Sequence, residues 1–363
     1  MTDTSSPAQW GDLYRETQHL YQSLCTRVQS LLRELLAAEE ISAVQVDARA
    51  KDVHSLVEKI GRRPGRYPDP LNDITDLAGV RVIVYYASDV ERVDTLIERE
   101  FHVDTENSWR RTPTTDPDRF GYRSDHYVVS CSPSRAALRE WEPYRGLKAE
   151  IQVRTVLQHA WAAIDHRLNY KRASEIPAEL KRQLFRISAL LEVADDQFEA
   201  VRLGAERLNS SYQQRVSSGE LELPIDRASV EVYVNRSPRA QWWTAAAARA
   251  GFTMETAPWR LDTEAEGTDA VGDLTQASQL AGFTTLSQLD RFLEEAEVWG
   301  YAALTAMRDA SSTDTWYGSS AFILTSVILM GSNLSREDLS TAFGAEGDYV
   351  DNLIRGRAAI SPR

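Results

Sequence analysis

Between residues 8 and 38 apolar side chains recur at helical spacing. Leu20, Leu24, Val28, Leu31, Leu32 and Leu35 fall on one stripe, which predicts a long amphipathic helix. A second helix, rich in Arg and Lys, is expected over about 47–61. Pro64, Gly65, Pro68 and Pro70 then break the chain into a loop. Residues 79–86, GVRVIVYY, form a β-branched run that reads as a buried strand. A helix over 88–100 and strands near 124–130 and 147–155 follow. A long helix over 177–213 carries the stripe Leu180, Leu184, Ile187, Leu190, Leu191, Ala194, Phe198 and Val201.

Composition shifts near 214–224, where a domain boundary is expected. That divides the chain into residues 1–215, with a core at 40–175, and residues 219–363. The second part is Ala-rich and mostly helical by pattern, a regulatory or scaffold domain. Within it, 230–234 is a short strand candidate and 262–273 an exposed loop. The most apolar run, 319–330, is too short to cross a bilayer and reads as a buried helix or strand.

The chain of 363 residues has a net charge of −13. An acidic chain repels polyanions as a whole, so binding one requires a local group of Arg and Lys. The N-terminus lacks the apolar core of a signal peptide, and no membrane span is expected. The two cysteines, Cys25 and Cys131, form no CxxC pair, which excludes a zinc knuckle and fits a reducing, cytoplasmic setting. His159 and His166 lie about 10 Å apart along a helix, too far to share one ion.

Four segments carry candidate chemistry. Lys51, Ser55 and Lys59 are spaced by four and share a face of the expected second helix, with Arg49 nearby. Asp76 stands just before the 79–86 strand, where a carboxylate can hold Mg²⁺, and Arg81 lies inside it and needs a partner if buried. In Phe120-Gly-Tyr122-Arg-Ser124-Asp-His126, Gly121 permits close backbone approach and Tyr122 offers a face for a base. In Glu150-Ile-Gln152-Val-Arg154, strand alternation puts the three polar residues on one face. A Glu with hydrogen-bonding neighbours suits a general base, and a solvated sheet face gives the same pattern.

In order and spacing these segments, with Thr155, His159, Trp161 and His166 after them, resemble the RelA/SpoT synthetase domain over roughly residues 40–175. The resemblance implies a nucleotidyltransferase-like mixed β-sheet flanked by helices, an α/β (α+β) fold, followed here by the mostly helical C-terminal domain. It implies transfer of pyrophosphate from ATP to the 3′-hydroxyl of GDP or GTP, yielding the alarmones ppGpp or pppGpp, with Mg²⁺ as cofactor. On this resemblance Arg49, Lys51, Ser55 and Lys59 bind ATP. Asp76 binds Mg²⁺, and Glu150 binds it too or deprotonates the attacking hydroxyl. Tyr122, His126, Gln152 and Arg154 serve the acceptor, while Arg81 and Arg154 support the phosphate-bearing centre.

Two departures bear on the acceptor. Asp118 and Phe120 stand where such synthetases often carry the Lys-x-Asn pair that helps read guanine, and Asp125 occupies a usually apolar position. A toxin of the same fold that pyrophosphorylates the 3′ end of tRNA is therefore the alternative, with Lys181, Arg182 and Arg186 as its candidate basic surface. A non-catalytic nucleotide-binding regulator is a third reading, against which Asp76 and Glu150 argue. Partner or self-association is assigned to 219–363.

Overall fold

The structure is a computed structural model, and it describes residues 6–110, 124–169, 178–254, 269–311, 317–332, 334–343 and 348–360. The chain divides into two compact units, Met1–Arg202 and Leu203–Arg363.

In the first unit the elements are α1 (Pro7–Ala38), β1 (Ala43–Ala50), α2 (Val53–Gly61), α3 (Pro70–Asp73), β2 (Ala78–Val84), α4 (Ala87–Glu100), β3 (Phe101–Val103), β4 (Asp125–Cys131), α5 (Pro133–Ala136), a 3₁₀ turn (Arg139–Tyr144), β5 (Ala149–Thr155), α6 (Val156–Asn169) and the start of α7 (Ala178–Ser217). The strands form one sheet in the order β1-β2-β5-β4-β3. Among the described strands of this sheet, only β2 and β5 pair in parallel. Helix α1 opens with a capping box from Ser6 and Gln9, and Pro7 at its first turn.

Alternation splits the sheet into two unlike faces. Val80, Val82, Val84, Ile151, Val153, Tyr127 and Val129 point one way and pack with Leu24, Val28 and Leu32 of α1 and Val93, Leu96 and Ile97 of α4. The opposite face carries Arg49, Arg81, Glu150, Gln152, Arg154 and His126, brought side by side by the registers Arg49↔Gly79, Gly79↔Glu150, Arg81↔Gln152 and His126↔Gln152.

The expected helix over 47–61 is corrected. Ala43–Ala50 is an antiparallel edge strand on β2, and the helix begins only at Val53, capped by the Asp52 side chain on the Ser55 amide. Pairing to the buried β2 overrides the local preference, and Val46 is the one residue of this strand that is buried. Arg49 is thus a strand residue, and Lys51 lies between strand and helix.

The second unit contains the end of α7, then α8 (Arg227–Arg236), α9 (Pro238–Arg249), β6 (Thr253–Met254), α10 (Ala270–Leu280), α11 (Leu286–Asp309), β7 (Tyr317–Gly318), α12 (Ser320–Gly331), α13 (Arg336–Phe343) and α14 (Asp348–Ala358). The short strands β6 and β7 pair in parallel. Helix α12 is the apolar run at 319–330 and is buried almost throughout, among α9, α10, α11 and α14. Trp243 of α9 is fully buried, its indole N–H donating to Leu293 O at 3.3 Å.

Two further expectations change here. Residues 230–234 are helical, because Asp226 and Ser229 form a reciprocal capping box that starts α8 ahead of the β-branched residues. The expected loop at 262–273 runs into α10, whose first turn is capped by Asp269; residues 262–268 lie outside the described residues. The division between units falls inside α7, ahead of the composition shift at 214–224. Among the described residues no helix is long and apolar enough to cross a membrane.

Candidate active site

The polar face of the first unit's sheet opens into a cleft of about 1170 Å³. Arg49, Lys51, Ser55, Lys59, Asp76, Arg81, Glu150 and Gln152 all line it. The cleft thus brings together expected residues from β1, α2, the approach to β2, β2 and β5, whereas His126 and Arg154 are not among its lining residues.

Local packing explains the placement of Lys51. Its amide donates to Leu77 O at 2.8 Å, and its carbonyl accepts from Tyr14 Oη at 3.0 Å and Gln18 Nε2 at 3.1 Å. Tyr14 also reaches Leu77 O at 3.4 Å, so α1 fixes both the Lys51 backbone and the loop bearing Asp76. Lys51 Nζ donates to Asp76 Oδ2 at 2.5 Å, and Lys59 Nζ to Oδ1 at 2.9 Å. Burial pushes the Asp76 carboxyl up, but hydrogen bonds and charge from Lys51 and Lys59 outweigh it and hold the group below its ordinary value. Asp76 therefore pairs with the lysines and not with Arg81, whose buried Nε has no hydrogen-bond partner among the described residues.

Glu150 is held from its own strand and from the next. Gln152 Nε2 donates to Glu150 Oε1 at 2.7 Å, and His126 Nδ1 lies 3.2 Å from the same oxygen. His126 Nε2 is 3.0 Å from Ser124 Oγ. With Nδ1 donating to the carboxylate, Nε2 of a neutral ring accepts from the Ser124 hydroxyl. Burial raises the Glu150 carboxyl, yet His126 and Gln152 hold it below its ordinary value, while nearby Asp76 pushes it upward. The two carboxylates thus sense each other across the cleft.

Arg154 lies behind this row, donating to Gln152 Oε1. Burial and the neighbouring Arg81 guanidinium lower it to about 10. Burial, then Arg81 and Arg154, lower His159 as well. Tyr122, with Asp118 and Phe120, lies outside the described residues. So does the Lys181 side chain, and Arg182 and Arg186 are not in the cleft lining.

The cleft also takes in Arg62, Arg63 and Arg66 with Tyr67, from the loop after α2. Arg66 stands over the Tyr67 ring at 5.8 Å. The prolines and glycine of this stretch mark only a loop in the sequence; the signal for a site is three arginines within GRRPGR.

Fold and cleft define a class: a mixed α/β domain whose open sheet face and adjoining loops line a polar cleft with interspersed acidic and basic side chains, Asp76 and Glu150 among them. Residues 48–175 match the family model described as "Region found in RelA / SpoT proteins". Among curated proteins, the chain is similar to the GTP pyrophosphokinase YjbM of Bacillus subtilis (strain 168). Identity is 28% over 180 residues, covering 48% of this chain and 79% of that protein. It is also 26% identical over 157 residues to the GTP pyrophosphokinase YwaC of the same organism, covering 43% and 71%. Among solved structures, the small alarmone synthetase 1 of Bacillus subtilis aligns with a TM-score of 0.44 and 25% identity, over 54% of this chain and 99% of that one.

Proposed function

We propose that the first unit transfers pyrophosphate from ATP to the 3′-hydroxyl of GDP or GTP. The observation that carries this is the convergence of Asp76 and Glu150, each ionised and hydrogen-bonded, in one cleft with Arg49, Lys51, Lys59, Arg62, Arg63 and Arg66. The relatives named GTP pyrophosphokinase support the reaction class.

The donor set fits Mg²⁺. Among the described residues no cluster of three or more His, Cys, Asp or Glu could hold a metal alone. Two hard carboxylate oxygens, completed by nucleotide phosphates and water, suit a cation that keeps much of its hydration shell. Asp76 and Glu150 would hold it, and when bound it would neutralise charge on the phosphate oxygens.

The protein's own work is positioning and electrostatics. Lys51, Lys59 and Arg49 grip the donor phosphates, with Ser55 beside them. The acceptor 3′-oxygen forms a bond to the β-phosphorus of ATP as its proton passes to solvent water, the bond to the α–β bridging oxygen breaks, and AMP leaves. His126, Gln152 and Arg154 keep Glu150 oriented on the acceptor side. A carboxylate held below its ordinary value is a weak base but a steady anionic ligand, which favours the cation-holding role for Glu150.

The test is transfer of label from γ-³²P-ATP, with Mg²⁺, to GDP, GTP, adenine nucleotides or deacylated tRNA. Label on GDP or GTP that disappears in Glu150→Gln supports the reading. Label on tRNA alone replaces the acceptor, and no transfer to any acceptor refutes it.

A further inference from the structure

The carboxylate placed to hold the cation is fully engaged by ammonium groups. Asp76 Oδ2 takes Lys51 Nζ at 2.5 Å, and Oδ1 takes Lys59 Nζ at 2.9 Å. Both oxygens of the Asp76 carboxylate thus carry an ammonium, so a dication reaching Asp76 must displace them. On the functional reading above, we propose that this triad is a counter-ion lock: the lysines occupy Asp76 until a nucleotide polyphosphate draws them away, so the divalent cation binds with the nucleotide and not before it.

The geometry confines the exchange to two flexible side chains. The Lys51 backbone is tied to Leu77, Tyr14 and Gln18, and Lys59 projects from α2. Each ammonium rides on a four-carbon stem that can swing from one anion to another without moving the backbone. Arg49, Arg63 and Arg66 line the same cleft and form no ion pair with a described residue, so they are placed to draw in the polyanion. Once phosphate oxygens take the ammoniums, Asp76 is left as an uncompensated anion. Coupling of this kind is reciprocal: whatever the nucleotide adds to cation affinity, the cation adds to nucleotide affinity.

The test titrates the full chain with Mn²⁺ alone, reading free Mn²⁺ by electron paramagnetic resonance. Wild type binds weakly, and Lys51→Met and Lys59→Met each bind about 5- to 150-fold more tightly. Lys59→Met keeps the test decisive if Lys51→Met does not fold. Arg66→Met removes the same unit charge from the same cleft without touching Asp76, and it leaves Mn²⁺ affinity unchanged. In the converse arm, Asp76→Asn binds metal-free α,β-methylene-ATP more tightly than wild type. Wild type binding Mn²⁺ alone as tightly as the lysine variants overturns the lock and leaves the functional reading standing. Equal tightening in Arg66→Met also overturns the lock, because a general field would then explain the effect. Failure of wild type to bind α,β-methylene-ATP with Mn²⁺ present overturns the functional reading, and the lock with it.

Discussion

His126 Nδ1 lies 3.2 Å from Glu150 Oε1, although the two residues are offset by two positions in the β4–β5 register. The contact is diagonal, because Val128 is the residue directly opposite Glu150 and Gln152 is opposite His126. His126 is one of two groups that hold Glu150 below its ordinary value against the upward push of burial. Removing it therefore raises the Glu150 pKa. His126→Ala is expected to lower transfer about 10- to 100-fold, the usual loss when a group orienting a metal-binding carboxylate is removed. The acid limb of the rate–pH profile should also move to higher pH, since Glu150 must be ionised to act. A rate loss with an unmoved acid limb would separate His126 from the titration of Glu150.

Asp94 gives a second pH prediction, remote from the cleft face. It is buried on α4, and its carboxyl is pushed up to about 8 by burial and by the Asp125 carboxylate beside it. In the unfolded chain the same group titrates near its ordinary value of 3.8. The folded chain therefore binds the extra proton between those values, and stability falls as pH rises through that window. Asp94→Asn, which keeps the neutral shape, should flatten the decline. At pH 8 it should raise the melting temperature by about 2–4 °C, the shift one kcal/mol produces in a domain of this size. At pH 4 it should change little. A melting temperature that moves equally at both values would contradict the assignment.

Legibility in the sequence followed the strength of local signals. Helix α1 and strands β2 and β5 were readable because their apolar residues repeat at a clean period and are buried at that period. Strand β1 was not, because AVQVDARA places short and charged side chains on an exposed edge and continues into a helix-forming segment. Helix α8 was misread because VEVYV alternates like a strand while the deciding signal, the Asp226–Ser229 capping box, lies upstream. Within the site, the carboxylates and lysines stood out by spacing, whereas the Lys51–Asp76 pair joins residues 25 positions apart and depends on the fold. Arg62, Arg63 and Arg66 could not be assigned because only the path of the chain after Gly61 turns them toward the cleft.

Those arginines carry a prediction of their own. Arg63 and Arg66 are exposed and without carboxylate partners among the described residues, so in the unbound state their charge is directed at solvent and cleft. A charge-assisted contact to phosphate contributes about 1.5–3 kcal/mol when sheltered, and exposure reduces each here to under about 1 kcal/mol. Arg63→Ala combined with Arg66→Ala should weaken α,β-methylene-ATP binding roughly tenfold, or 1.4 kcal/mol. The loss should shrink as ionic strength rises, because exposed charges are screened. Calorimetric titration at two salt concentrations checks both points, and an unchanged affinity at low salt would remove these residues from the nucleotide site.

In the second unit, Gly300 and Trp243 make the sharpest steric demand. A Cβ added at Gly300 would stand 2.0 Å from Cη2 and 2.6 Å from Cζ3 of the Trp243 ring. The ring cannot yield, since it is fully buried and its N–H is bound to Leu293 O. Gly300→Ala should therefore destabilise the unit by about 1–3 kcal/mol, as overpacking of a tight core does. Gly204, also within a helix, has nothing within 4 Å of its added Cβ. Gly204→Ala should instead stabilise by about 0.5–1 kcal/mol, through the lower backbone entropy of alanine in the unfolded chain. Chemical denaturation of the two variants beside wild type gives shifts of opposite sign. A neutral Gly300→Ala would mean that α9 and α11 can separate at this crossing, and that the close packing of helix backbone on indole is not what holds them together.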